Sequence, residues 1–591
     1  MYIMIKSNHL LGALFAFFLL QPVHAQQHQL PPMWGHTPAQ FETRTRAYLP
    51  PARIVQCQIP SGASVTGTEN LMKPGKGQAE LANTGLCHIK NGKQGHVSLL
   101  LDFGKELHGG IQIVTGQSGT RNVKVRLCFG ESVSEAMSTI DGKNGAGNDH
   151  AMRDFDFELP WLGVAEYGNT GFRFVRVDVL GAETDLLLKE IRASFVYQDM
   201  VYKGSFECDN ERLNRIWMTG AYTVHLNMQN YVWDGIKRDR LVWIGDIFPE
   251  VETICTVFGY DESVPKSLDF SRELYPIPQW MNGFSSYSIC WLLSHEQWYM
   301  KNGNLDYLKQ QRSYILSLLD MLMAKIGKNG KENLDGTRFL DWPSSENTQA
   351  INAGLQALMI LAMQTGERLC NYLGEPAMAK KCHEAIQKLS KYKPDCNKSK
   401  QAAALMALAG TMPAQKANDE FLTVNGTKGF STFYGYYMLE AMAKAGNYQG
   451  AMDIISQYWG AMLDLGATTF WEDFDIDWTQ NAGRIDELPQ EGKIDVHKTY
   501  GKYCYQGYRH SLCHGWASGP TTWLSRHVLG VQVVKPGCKE VRIEPHLGNL
   551  KWAKGTFPTP YGVITIEYRQ DKNGTVTSKI TAPEEVKIIK E

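Results

Sequence analysis

Along residues 30–200 the apolar positions come in short runs that often alternate with polar ones. Val97–Asp102, Gly109–Val114, Val123–Cys128 and Phe172–Leu180 are rich in β-branched and aromatic residues and are split by Gly, Asn and Asp. Such runs at short spacing predict the strands of a β-sandwich. The pattern changes near Cys208. Leu213, Ile216 and Trp217 fall at helical spacing, and Asp209 or Asn210 can cap the start of a helix over 210–231. To about residue 528 the period stays helical, with segments at 285–300, 305–326, 349–371, 375–392, 431–444 and 448–464. Many helices over this length predict a helical toroid, an (α/α)6 barrel, or an α-solenoid; no repeat is visible, which disfavours the solenoid. The tail returns to strands at Val531–Val534, Glu540–Ile543, Val563–Tyr568 and Val576–Ile580, with turns at Pro536-Gly537 and Asn573-Gly574. The predicted order is an N-terminal β-sandwich over 26–205, an (α/α)6 barrel over 206–528 and a C-terminal β-sandwich over 529–591.

The first residues read differently. Lys6 and His9 precede an apolar run, Leu10–Leu20, and Val23-His24-Ala25 follows it. That is the pattern of a secretory signal over 1–25, cleaved after Ala25, and the run is too short to span a bilayer. A periplasmic or secreted location is expected, with no membrane span. Twelve cysteines are scattered without a C-x-x-C pair or zinc-like spacing, and Cys57–Cys87 is a candidate bridge.

At 591 residues the chain exceeds one core, which agrees with several domains. Sixty basic against 61 acidic residues leave a formal charge of −1, which argues against a nucleic-acid partner. The 15 Trp and 26 Tyr fit either ordinary core packing or a cleft whose rings stack on sugars.

Candidate chemistry gathers in three segments. Trp233–Asp246 holds Asp234, Asp239 and Asp246 with Lys237, Arg238, Arg240, Trp233 and Trp243. Such crowding fits ion pairs capping a helix, or a cleft loop where Arg238 and Arg240 hold carboxylates and Trp243 is a sugar platform. Gly466–Asp475 places Glu472 between Trp471 and Asp473, where apolar rings would raise its pKa into a useful range. Ser511–Thr522 carries His514 and Trp516 ahead of a helix over 517–528; it lacks the Gly-x-Ser-x-Gly elbow of a serine nucleophile. Weaker clusters are Phe339–Pro343, with Asp341 and Trp342, and Ser294–Trp298. Two carboxyl groups facing one another are what glycosidic cleavage requires, one to protonate the leaving oxygen and one to act on water or on the sugar.

From about residue 95 onward the chain resembles the α-L-rhamnosidases of glycoside hydrolase family 78. The family's motif, Asp, four residues, Glu-Arg, two residues, Trp, two residues, Asp, is similar to Asp234, Asp239, Arg240, Trp243 and Asp246. Its Thr-Thr-x-Trp-Glu matches Thr468–Glu472, its Asn-His stretch resembles Cys513-His514, and its C-terminal signature resembles Lys554–Gly562. The resemblance implies an inverting exo-hydrolase that releases terminal α-L-rhamnose from plant polysaccharide or other glycan oligosaccharides. Glu472 is then the general base. Asp234 and Asp246 bind rhamnose hydroxyls, Trp243 packs on the sugar, and Arg238, Asp341, Trp342, Trp471 and His514 complete the expected binding set. The departure is at the general acid, where Asp239 replaces the family's Glu. Asp239 is expected to serve, with Glu250 as the alternative. No metal or cofactor is expected; the acids at 472–477 lack the glycine-containing loop of a calcium site. Two other readings remain open: another glycosidase or a lyase on the same barrel, using Tyr505, Arg509, His510 and His514, and a non-catalytic carbohydrate-binding homologue.

Overall fold

The structure, a computed structural model, describes residues 30–34, 40–140, 147, 153–502 and 505–590. The signal sequence predicted over 1–25 lies outside the described residues. The chain divides into two compact units, 1–43 and 44–591, and the described part of the first holds a single turn, Pro32–Trp34. Among the described residues no helix is long and apolar enough to cross a membrane.

The N-terminal strands hydrogen-bond into one nine-stranded sheet. Its long strands are Ser98–Thr115, Val164–Val179 and Asp185–Tyr197. Ser98–Thr115 pairs with Arg53–Gln58 along its first half and with Asp185–Tyr197 along its second, with register shifts on the way. The strands expected of a sandwich are thus joined by hydrogen bonds into one branched sheet, because the long strands change partners along their length. Alternation marks strands, but only the register decides where a ladder continues. Leu99, Ile111, Val125, Phe172, Val177 and Ile191 belong to this domain's own core. Cys57 and Cys87, the candidate bridge, are not bonded to each other.

The helical domain begins at Glu211–Asn227, capped by the Asn210 side chain as the sequence suggests. After it Ile244–Val257, Ser285–Asn302, Thr348–Leu373, Lys400–Leu408, Gly435–Lys444 and Gly519–Trp523 each pack against the next, and the last packs against the first. Ile244–Val257 was not legible as a helix. All its residues are buried, so it has no polar stripe, and Pro249 sits inside it. Lys400–Leu408 escaped for the same reason, being buried along most of its length.

The C-terminal strands form a four-stranded and a three-stranded sheet. The first recruits Ser205–Cys208, which pairs with Trp552–Thr559 just before the helices begin. Trp552–Thr559, with Gly555 and Pro558 inside it, is a strand that composition concealed. Phe557, Ile564, Ile566 and Val541 pack into the same core as the helices.

Candidate active site

Asp234 closes the loop that enters Ile244–Val257. Its backbone N–H donates to Leu241 O at 3.2 Å, and its Oδ1 accepts from Leu241 N–H at 2.9 Å. Inside this loop Asp239 and Arg240 both have φ of 53°. That left-handed conformation costs a non-glycine residue about 1–3 kcal/mol and persists only where the surroundings impose it. The helix that follows carries Asp246 in its first turn, and Glu250 lies four residues on, on the same face.

Two further segments meet this loop. Glu472 N–H donates to Ser511 O at 3.0 Å, His514 N–H to Phe470 O at 2.9 Å and Gly515 N–H to Asp234 O at 3.0 Å. The result gathers carboxyl groups that are hundreds of residues apart. Arg238 Nη2 lies 2.6 and 2.7 Å from the two oxygens of Glu472. Its Nη1 is 3.1 Å from Asp239 Oδ1, its Nε donates to Arg509 O at 2.7 Å, and its guanidinium sits 5.1 Å from the Tyr505 ring centre. His514 Nε2 is 3.4 Å from Glu472 Oε1, 3.7 Å from Asp246 Oδ2 and 3.9 Å from Asp234 Oδ2.

Charge and burial set the protonation of this cluster. Burial, reinforced by the neighbouring Asp239 charge, holds the Asp234 carboxyl well above its ordinary range. Burial and the charges of Asp234 and Glu472 do the same to Asp246. Glu472 is also raised by burial, with Arg238 opposing. His514 is held neutral by burial and by Arg238. One guanidinium facing four carboxyls makes a poor site for an anion and a good one for a neutral, hydroxyl-rich ligand, because protonated carboxyls donate and ionised ones accept.

A family profile for the bacterial α-L-rhamnosidase six-hairpin glycosidase domain matches residues 202–528, more than half of the chain. The chain belongs to this family. The profile of the bacterial α-L-rhamnosidase C-terminal domain matches residues 530–589. Among solved structures, the family 78 rhamnosidase of Bacillus sp. GL1 superposes with a TM-score of 0.71 at 21% identity, over 89% of this chain and 55% of that one. A rhamnosidase from Klebsiella oxytoca with rhamnose bound superposes at 0.65 and 18%, over 82% and 96%. The Streptomyces avermitilis α-L-rhamnosidase complexed with L-rhamnose gives 0.64 and 16%, over 86% and 50%. At these identities the likeness is one of fold, and the chain spans little more than half the length of the Bacillus enzyme. No curated protein matches by sequence.

Within this family frame the expected residues fall into two groups. Asp234, Arg238, Asp239, Asp246, Glu472 and His514 meet directly, by the distances above. Trp243 and Trp342 are partly exposed; Trp243 packs edge-on to Tyr287, and Trp342 edge-on to Tyr505 at 5.5 Å. Asp341 and Trp471 are buried. The Asp341 carboxylate accepts from Ser431 Oγ at 2.7 Å and Ser344 N–H at 3.1 Å, which ties two loops together. Trp471 is buried edge-on against Phe474 and His510. Glu250, the alternative acid, is buried, and that burial together with the charges of Asp246 and Asp234 pushes its carboxyl well above its ordinary range. Neither of its oxygens has a hydrogen-bond partner among the described residues. A Cβ at Gly515 would stand 2.1 Å from Glu250 Oε1, so the two segments cross closely here and a larger residue would displace the Glu250 carboxyl.

Some members of the site carried no readable signal. Tyr287 OH donates to Asp246 Oδ1 at 3.3 Å, and Thr432 Oγ1 to Glu472 O at 2.6 Å. The N-terminal sheet domain contributes a buried cluster below the loops. Lys237 Nζ is 2.9 Å from Glu131 Oε2 and 3.2 Å from Glu135 Oε1, and donates to Tyr508 O at 2.9 Å and His510 O at 2.6 Å. Glu131 in turn accepts from Leu512 N–H at 2.6 Å and Ser511 Oγ at 3.2 Å. Glu131, Glu135 and His497 could group around a cation, but the Lys237 ammonium already sits among these carboxylates. From the same domain Gly171 presses on the Asp234–Asp246 loop, where a Cβ would lie 2.7 Å from Lys237 N. Density of charge flagged Lys237; nothing in Glu131, over a hundred residues earlier, could have.

Proposed function

We propose that this chain is an inverting, exo-acting α-L-rhamnosidase. The observation that carries the reading is Arg238, which joins Asp239 to Glu472 beside the carboxyls of Asp234 and Asp246. Asp234 and Asp246 hold ring hydroxyls, and Trp243 walls the sugar. Glu472 takes a proton from water, whose oxygen attacks the anomeric carbon. Asp239 gives its proton to the departing glycosidic oxygen, so the products are β-L-rhamnose and the alcohol of the leaving group. Arg238 keeps Glu472 ionised against its burial, which a base requires. The ring of helices is read as the inner wall of an (α/α)6 barrel, and the N-terminal pattern as export to the periplasm or beyond.

The test is incubation with rhamnosylated oligosaccharides, following released sugar by proton NMR. First appearance of β-L-rhamnose is expected. First appearance of the α-anomer refutes inversion, an unsaturated product chromophore points to a lyase, and rhamnose binding without turnover points to a carbohydrate-binding homologue.

A further inference from the structure

Asp239, read above as the proton donor, sits on strained backbone. Arg240 N–H donates to Arg238 O at 2.7 Å, which closes a three-residue turn centred on Asp239. With φ of 53° at its centre this is the rare and strained form of such a turn, and Arg240 repeats the same left-handed φ. An aspartate side chain is short, so its carboxyl goes where the backbone puts it.

The strain is met from another domain. Arg240 Nη1 donates to Asn169 O at 2.5 Å, on the strand Val164–Val179 of the N-terminal sheet. Asn169 stands in a β-bulge. Gly109 pairs with Thr170 and Ile111 with Tyr167, so the single residue Gly110 faces both Gly168 and Asn169. Gly168 makes the kink at φ of 106°, where a Cβ would lie 2.7 Å from Phe129 Cζ. A bulge leaves its extra residue out of the ladder, which frees a carbonyl for an outside donor.

Neighbouring contacts hold the rest of the loop. Thr170 Oγ1 donates to Lys237 O at 3.3 Å, and Gly171 lies against Ile236 and Lys237. Beyond the turn Leu241 N–H donates to Asp234 Oδ1 at 2.9 Å. The loop is thus fixed before and after the turn, and the Arg240 guanidinium fixes the turn itself. Arg238 Nη1 also holds Asp239 Oδ1, at 3.1 Å. That ion pair weakens once Asp239 is protonated, as an acid must be, so the backbone has to keep the carboxyl in place.

We propose that Arg240 is a positioning residue for the proton donor: by gripping the bulge carbonyl of Asn169 it imposes the left-handed turn that sets the Asp239 carboxyl against the leaving oxygen. This rests on the reading of Asp239 as the general acid, and it makes the bulge of the N-terminal sheet a working part of the site.

The test is the ratio of kcat/KM for a rhamnosyl disaccharide to that for p-nitrophenyl rhamnoside, a quantity independent of how much of a variant is folded. Arg240→Met removes the donor and leaves a side chain that resists positive φ. Its ratio should fall by about tenfold or more, because a sugar leaving group needs the acid and a misplacement of about 1 Å can cost 10²-fold. Arg240→Gly removes the same donor and the same charge, but glycine takes a positive φ without steric cost. Its ratio should stay clearly above that of Arg240→Met, and the difference reports on the backbone alone. An unchanged ratio in Arg240→Met overturns the proposal. Ratios that fall equally in both variants overturn the role of the turn. If the wild type cleaves no rhamnoside, or if Asp239→Asn is fully active on the disaccharide, the catalytic reading fails and the proposal falls with it. Cleavage by the wild type, lost in Asp239→Asn but unaltered in both Arg240 variants, brings down the proposal alone.

Discussion

Arg238 places one nitrogen, Nη2, between both oxygens of Glu472, at 2.6 and 2.7 Å. The pair is almost wholly buried, so the guanidinium is the counter-charge that lets Glu472 exist as an anion there. Arg238→Met should leave a carboxyl that keeps its proton. The acid limb of the pH–rate profile should move upward, and stability should fall by about 3–5 kcal/mol, as on breaking a buried pair. Rates across pH and denaturant titration check both; an unmoved acid limb contradicts the assignment.

Glu472→Gln and Asp239→Asn should fail in different ways. Loss of the base should reduce turnover of every rhamnoside, by roughly 10²–10⁴-fold. Loss of the acid should be severe for sugar leaving groups and much milder for p-nitrophenyl rhamnoside, whose phenol leaves without protonation. Full activity of Asp239→Asn on an oligosaccharide would remove Asp239 from the mechanism.

Asp246 is held protonated by its surroundings, so its contribution to stability has a definite sign. A raised folded-state pKa stabilises the fold at pH values below the ordinary carboxyl range, and that contribution is lost as pH rises through the raised value. Asparagine copies the protonated form. The Tm of Asp246→Asn should therefore gain on wild type steadily from pH 4 to pH 8, while activity is abolished. A difference in Tm that does not vary with pH would argue that Asp246 is not shifted.

Lys237, on the Asp234–Asp246 loop, pairs with Glu131 of the N-terminal sheet domain, which in turn holds Ser511 and Leu512. Lys237→Met should destabilise by about 3–5 kcal/mol by stranding two buried carboxylates. Adding Glu131→Gln to that variant should recover part of the loss, since contacting residues are not additive. Strict additivity in the double-mutant cycle would show that the two side chains are not coupled.

The amino-acid order alone determined the succession of sheet, helices and sheet, because periods of two and of 3.6 are local consequences of which face is buried. It also marked Asp234–Asp246, Glu472 and His514, where charged and aromatic residues crowd together. Only the tertiary structure decided the rest. Ile244–Val257 is buried on every side, so no periodicity betrays it. The contacts of Asp341 with Ser431 and of Trp471 with Phe474 and His510 are likewise made by packing. Glu131 enters the site from another domain, through pairing that no spacing along the chain encodes. The protonation of the cluster is likewise a property of burial and neighbours. Carboxyls far apart in sequence raise one another's pKa only once the loops meet.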